Sequence, residues 1–198
     1  MKKFIEKSFS IGELKGISAK NIEEHLKLYK GYVTNLNNII DKIATFNKDK
    51  EDNMYFLGEL YRRFSFEYNG MKNHELYFNS LSDGNKEINM ESELYKKIVE
   101  DFGSFAEFLE NFKTLALTRG IGWASLWYND DNKTLITSWI DEQHLGQLNN
   151  TTMILGIDMW EHAYVYDYPT SEKKKYIDAF FENLNWEKIE NNFKNAVK

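Results

Sequence analysis

The feature that most restricts the fold is a change of hydrophobic period past the middle of the chain. Before about residue 118, apolar side chains recur at three- and four-residue intervals, the spacing of helices. After it, Trp123 to Tyr128 and Lys133 to Trp139 are rich in aromatic and β-branched residues. Asn129-Asp130-Asp131-Asn132 separates them, so the two runs read as a hairpin. Thr151 to Ile157 supplies a third strand, and helical spacing returns near 171–184 and 186–197. A helical N-terminal half therefore precedes a C-terminal half with a small three-stranded antiparallel sheet flanked by helices, an α+β arrangement.

Within the helical half, Ile22, Leu26, Tyr29, Val33, Leu36, Ile40 and Ile43 form one stripe over residues 18–46, with Ser18 as N-cap. The pattern predicts a second helix over 54–67 and a third over 70–81. The third runs into Ser82-Asp83-Gly84-Asn85, a cluster of turn formers. That cluster is the natural boundary, dividing the chain into domains 1–83 and 84–198. Helices over 90–101 and 104–117 follow, the latter opened by a Ser104…Glu107 capping box. There is no internal repeat and no low-complexity tract.

Composition narrows the chemistry. The chain has no cysteine, which excludes disulfides, thiolate ligands and thiol nucleophiles. Any metal must be held by imidazole and carboxylate, a donor set that suits iron, manganese or zinc. A net charge of -6 argues against nucleic-acid binding. An anionic substrate would need a local basic funnel. The charged start MKKFIEKSFSIGELKG lacks a signal-peptide core, and no apolar run approaches membrane-spanning length. A soluble cytoplasmic protein is expected.

There are four histidines: His25, His74, His144 and His162. Asp158 and His162 are four apart, so one helical turn would place both on one side of the chain. The apolar run Ile154 to Ile157 delivers Asp158 straight into an aromatic-rich turn. A carboxylate buried there without a partner would cost several kcal/mol, and a metal ion is a suitable partner.

The segment Asp158-Met159-Trp160-Glu161-His162-Ala163-Tyr164 resembles the signature of the iron/manganese superoxide dismutases. The resemblance extends through Ile17-Ser18-Ala19 to His25, Tyr32 to Asn37, Asn73 to Asn79, Asp101 to Phe105 and Gly122-Trp123-Ala124. It implies one iron or manganese ion per chain, held between the two domains by His25, His74, Asp158 and His162. It also implies superoxide as substrate, disproportionated to dioxygen and hydrogen peroxide by one-electron cycling of the metal. Trp123, Trp160 and Phe78 would surround that metal. A homodimer, or a tetramer, would form through Glu161 and His162, without nucleic acid or membrane.

Three departures from the family pattern set further expectations. Tyr32 follows His25 by seven residues where many members have eight, as in a branch found in anaerobic bacteria that the segment Glu24 to Val33 resembles. Seven residues is about two turns, so the first helix is expected to lack a π-bulge and still direct Tyr32 at the metal. Second, the position four before His74, which in iron-type members supplies a Gln, is Gly70. The loop Asp141 to Gln147 must supply the outer hydrogen bond instead. His144 is the expected contact, with Gln143 and Gln147 behind it, which makes Tyr32 and His144 the candidate catalytic residues. Third, Val165 follows Tyr164, and Leu28 or Tyr29 stands in place of the usual His, so Tyr29 is expected at the gateway. Lys27, Lys30 and Lys72 are the candidate basic funnel.

Rival chemistries fare worse. A di-iron bundle needs Glu-x-x-His pairs, and the residues three before the histidines are Ile22, Met71, Asp141 and Met159. A zinc hydrolase would need a general base that no motif places. The alternative that stays open is a relative that binds metal and dimerises without turnover, in a structural or interaction role.

Overall fold

A computed structural model describes all residues, 1–198. Helix α1 (Ala19–Phe46) starts at Ser18, whose Oγ accepts the Asn21 N–H at 3.1 Å. This satisfies one of the amides that a helix start leaves unpaired. The predicted stripe is the buried face, with Ile22, Tyr29, Val33, Leu36, Ile40 and Ile43 turned inward. As expected, α1 is unbroken α-helix through His25 and Tyr32, without a π-bulge.

Helix α2 (Lys50–Ser80) returns antiparallel to α1 as one continuous helix, where the sequence predicted two. The predicted gap covers residues 68 and 69, and Gly70 beside it is buried in mid-helix under the ring of Tyr32. The tertiary contact there outweighs the roughly 1 kcal/mol by which glycine disfavours a helix. The first residues form an extended strap across this hairpin. Phe4 and the Asn37 carboxamide exchange two hydrogen bonds of 2.9 Å, and the Lys7 N–H donates to Tyr29 Oη at 2.8 Å.

Helices α3 (Glu93–Phe102) and α4 (Phe105–Ala116) lead into the sheet. The Ser104 Oγ accepts the Glu107 N–H at 3.1 Å while its own hydroxyl donates to Glu107 Oε2 at 2.8 Å. Strands β1 (Gly122–Asn129), β2 (Thr134–Asp141) and β3 (Thr151–Asp158) form an antiparallel sheet in the order β2-β1-β3. Central β1 is buried on both faces, which is why it reads as a run of large side chains rather than an alternation. Helices α5 (Lys173–Glu182) and α6 (Trp186–Ala196) close the molecule.

One hydrophobic core joins the hairpin to the sheet. Tyr77 and Phe78 of α2, Trp123 of β1, and Tyr176 and Phe180 of α5 are fully buried within it. The polar ends of this aromatic block are satisfied internally, the hydroxyls of Tyr77 and Tyr176 meeting at 3.2 Å. The C-terminal end of β3 therefore points at the middle of the hairpin. The β1–β3 register sets Asp158 directly opposite Trp123.

Candidate metal centre

Four donors converge where β3 meets the hairpin. His25 comes from α1, His74 from α2, Asp158 from the last position of β3, and His162 from the short 3-10 turn Glu161–Ala163. One donor atom from each lies within 4.8 Å of all the others. The centre of the cluster is a single carboxylate oxygen, Asp158 Oδ2. The Nε2 atoms of His25 and His162 approach it at 3.1 Å, and that of His74 at 3.4 Å. The other carboxylate oxygen accepts the Trp160 N–H at 2.8 Å, which fixes the rotation of Asp158. His25, His74 and Asp158 are fully buried, while the His162 side chain keeps 21% of its surface accessible.

The protonation pattern tests whether these residues fit a cation. His74 Nδ1 lies 2.6 Å from the Gly70 carbonyl, which can only accept, so Nδ1 carries a hydrogen. Burial, with His25 beside it, holds this imidazole far below its ordinary value, at about 3, so the ring is neutral at pH 7. Its Nε2 is then a bare lone pair, buried and without a hydrogen-bond partner, facing a carboxylate oxygen. Burial likewise lowers His25 despite the pull of Asp158. It also penalises the Asp158 charge, but His162 and His25 outweigh it and hold the acid below the usual carboxylate range. Three imidazole nitrogens and one anionic oxygen aimed at a common point match the donor set of a single iron or manganese ion.

Around this cluster stands an aromatic wall. Trp123 meets His74 edge-on at 5.1 Å, Phe78 meets His25 at 4.9 Å, and Trp160 stacks beside His162 at 5.8 Å. Tyr77, three residues after His74, packs at 5.0 Å from His25. Sequence reasoning did not single out Tyr77, although that helical spacing from His74 was a usable signal.

Tyr32 turns toward the cluster, its ring 4.9 Å from that of His74 and its hydroxyl on Gln143 Nε2 at 3.1 Å. Burial, reinforced by the charges of Asp158 and Glu67, raises its phenol well above the usual range. A Cβ at Gly70 would lie 2.5 Å from the Tyr32 ring. The glycine that offers no hydrogen bond is thus the residue that gives Tyr32 its seat.

The loop after β2 reverses the expected order of its residues. Gln143, expected behind His144, is fully buried at the site. Its Oε1 accepts the Trp123 indole N–H at 3.0 Å, and its main-chain carbonyl accepts the Asn73 carboxamide at 3.1 Å. Because an indole can only donate, Oε1 must face Trp123 and Nε2 must face Tyr32. His144 instead packs edge-on against Phe66 at 5.6 Å and forms no hydrogen bond to any site residue. The physical reason is local: Trp160 Nε1 donates to the Glu142 carbonyl at 3.1 Å, which pins the loop with Gln143 inward.

The rim also differs from expectation. Tyr29 does not reach a gateway. It is fully buried, its hydroxyl 3.4 Å from Glu75 Oε1 and accepting from the strap. The surface hollow beside His162 is lined instead by Leu28, Val165 and Tyr166. The proposed funnel lysines are engaged with carboxylates: Lys27 with Glu23 and Glu24, Lys72 with Glu75, and Lys30 with Glu6 at 3.8 Å.

Comparison with known proteins agrees with this geometry. Residues 13–82 match the alpha-hairpin domain of the iron/manganese superoxide dismutases, and residues 90–192 match their C-terminal domain. A protein named superoxide dismutase [Fe] from Aquifex aeolicus is 36% identical over 190 residues, spanning 93% of this chain and 88% of its own. A superoxide dismutase [Mn] from Acinetobacter baylyi is 35% identical, spanning 92% of this chain and 82% of its own. The mitochondrial superoxide dismutase [Mn] of Glossina morsitans morsitans is 31% identical over 96% of this chain and 87% of its own. With both halves of the family matched in order and its donor cluster assembled, the chain belongs to the iron/manganese superoxide dismutases.

Proposed function

We propose that the chain disproportionates superoxide at one iron or manganese ion held by His25 Nε2, His74 Nε2, Asp158 Oδ2 and His162 Nε2, with Tyr32 and Gln143 managing the protons. The observation that carries the reading is the convergence of three imidazole nitrogens on one buried carboxylate oxygen. When bound, the ion supplies one-electron redox chemistry, so that two superoxide anions and two protons become one dioxygen and one hydrogen peroxide.

The chain's own groups handle position and protons. Asp158 brings the one negative side chain to the donor set, fixed by the Trp160 amide. Trp123 orients Gln143, which donates to the Tyr32 hydroxyl and leaves the Tyr32 proton free to point into the site. The raised Tyr32 keeps that proton throughout the neutral range. A fixed neutral donor beside the donor cluster can hold a proton where peroxide is formed, without reorganisation. Phe78 and Trp123 exclude bulk water from the inner face, and access is left on the His162 side.

The same reading assigns domains 1–83 and 84–198, with the site between them drawing two donors from each. It includes a homodimer through Glu161 and His162. Glu161 is exposed and forms no ion pair within the chain, which leaves it free for a partner's imidazole. The chain is read as cytoplasmic; no helix is long and apolar enough to cross a membrane.

The test is to purify the protein natively, quantify metal, and assay superoxide disproportionation after separate reconstitution with iron and manganese. Activity with about one metal per chain is expected, and the ratio of the two activities assigns the metal. Full occupancy without turnover under either metal would overturn the enzymatic reading in favour of the non-catalytic relative.

A further inference from the structure

Two histidines with parallel positions in the hairpin are treated differently on their far sides. His74 Nδ1 is held by the Gly70 carbonyl one turn earlier, at 2.6 Å. His25 Nδ1 is fully buried and has no partner in the protein. One turn before His25 sits Asn21, only 2% exposed, and neither its amide nitrogen nor its amide oxygen has a partner. Three of the unpaired buried polar atoms of the chain therefore lie one turn apart on the inward face of α1. Helical side chains lean toward the N-terminus, so the His25 ring leans back over the turn that carries Asn21. Asn21 also borders the hollow of about 720 Å³ that contains His162, but its carboxamide atoms are sealed from that hollow, so a water held there would be an internal one.

We infer that Asn21 is the positioning residue for His25, taking up the Nδ1–H of that imidazole through one bridging water. A buried polar site with two to four partners is where proteins retain such waters. The water accepts the Nδ1 hydrogen and donates to Asn21 Oδ1. This fixes the tautomer that leaves Nε2 as a lone pair, the job that the Gly70 carbonyl does for His74. Groups that orient a ligating imidazole in this way typically carry ten- to hundredfold in metal affinity. The inference rests on the proposal that His25 Nε2 is a ligand.

Three variants test it: Asn21→Leu, which keeps the branching of the side chain without hydrogen-bonding atoms, Asn21→Asp, which keeps the acceptor, and His25→Gln. The readouts are manganese affinity by chelator competition, the electron paramagnetic resonance spectrum of the manganese-loaded protein, and the melting temperature of the metal-free protein. Asn21→Leu is expected to weaken manganese binding by about tenfold or more and alter the spectrum. Its metal-free melting temperature should hold or fall only slightly, because the substitution weakens one water-mediated contact of His25 while leaving the packing of α1 in place. Asn21→Asp should recover affinity to within about threefold of the parent, on the same outer-group scale. Wild-type affinity and spectrum in Asn21→Leu, with binding lost in His25→Gln, would overturn this inference alone. Retained binding with an unchanged spectrum in His25→Gln would instead overturn the ligand assignment beneath it.

Discussion

The interior of the metal centre and its rim are built by different rules. Inside, geometry is over-determined. Asp158 is fixed by the Trp160 amide, His74 by the Gly70 carbonyl, and Gln143 by Trp123, Asn73 and Tyr32 together. At the rim, Leu28, Val165 and Tyr166 stand 42%, 46% and 59% exposed, and Lys27, which borders the same hollow, pairs with Glu23 and Glu24. Fixed polar groups are worth most where water is absent, while exposed ion pairs contribute about 0–1 kcal/mol each. Function is therefore concentrated in a few buried groups, and the surrounding surface is free to vary.

Substitutions can break or sharpen that contrast. The largest effect is expected from His74→Ala or Asp158→Asn. Each should cost more than the roughly hundredfold in metal affinity typical of an outer group, and abolish turnover. Metal content after dialysis checks this, and near-stoichiometric metal in either variant would break the account. Gln143→Leu should lower turnover by about ten- to hundredfold, because it strands the Trp123 N–H and frees Tyr32. His144→Ala should change turnover by less than about twofold, since no hydrogen bond links it to the site. The reverse ranking in a steady-state assay would restore His144 as the outer residue.

Gly70→Ala places a methyl into the Tyr32 ring, so Tyr32 must move or α2 must bend. A stability loss of about 1–3 kcal/mol is expected, readable by denaturant titration, together with reduced turnover. The metal-free protein should also lose stability in acid. The His74 value falls from 6.5 to about 3 on folding, so the unfolded chain binds a proton that the folded one refuses. Stability conferred by the neutral ring is complete above about pH 6.5. It is lost progressively as the pH drops from there toward 3. Melting curves of the metal-free protein at pH 7 and pH 5 test the sign. The smallest effect belongs to the rim: Lys27→Gln should leave turnover within about twofold, because its charge is already matched by Glu23 and Glu24.

These expectations also show how far the sequence could be read. The change of period past residue 118 foretold the sheet, and the stripe from Ile22 to Ile43 foretold α1, because both patterns reflect burial on one face. The four converging donors were legible through the family resemblance and the Asp158–His162 spacing. The gap predicted between 67 and 70 closes into one helix where Tyr32 packs over Gly70, a contact that only the fold brings about. The choice between Gln143 and His144 turned on which way one loop faces. That direction is set by Trp160 from a separate segment, a contact that local sequence does not carry. Tyr29 was misplaced for a similar reason, since the N-terminal strap that claims its hydroxyl has no periodic pattern of its own.

The central claim, that His25, His74, Asp158 and His162 together hold one redox metal, is tested most directly by crystallography of the natively purified protein. Anomalous scattering should be collected across the iron and manganese absorption edges. The account predicts one peak per chain within bonding distance of the three Nε2 atoms and Asp158 Oδ2, with the Tyr32–Gln143–Trp123 chain of hydrogen bonds retained. A peak bound through His144, or a native protein with no peak among the four donors, would contradict it.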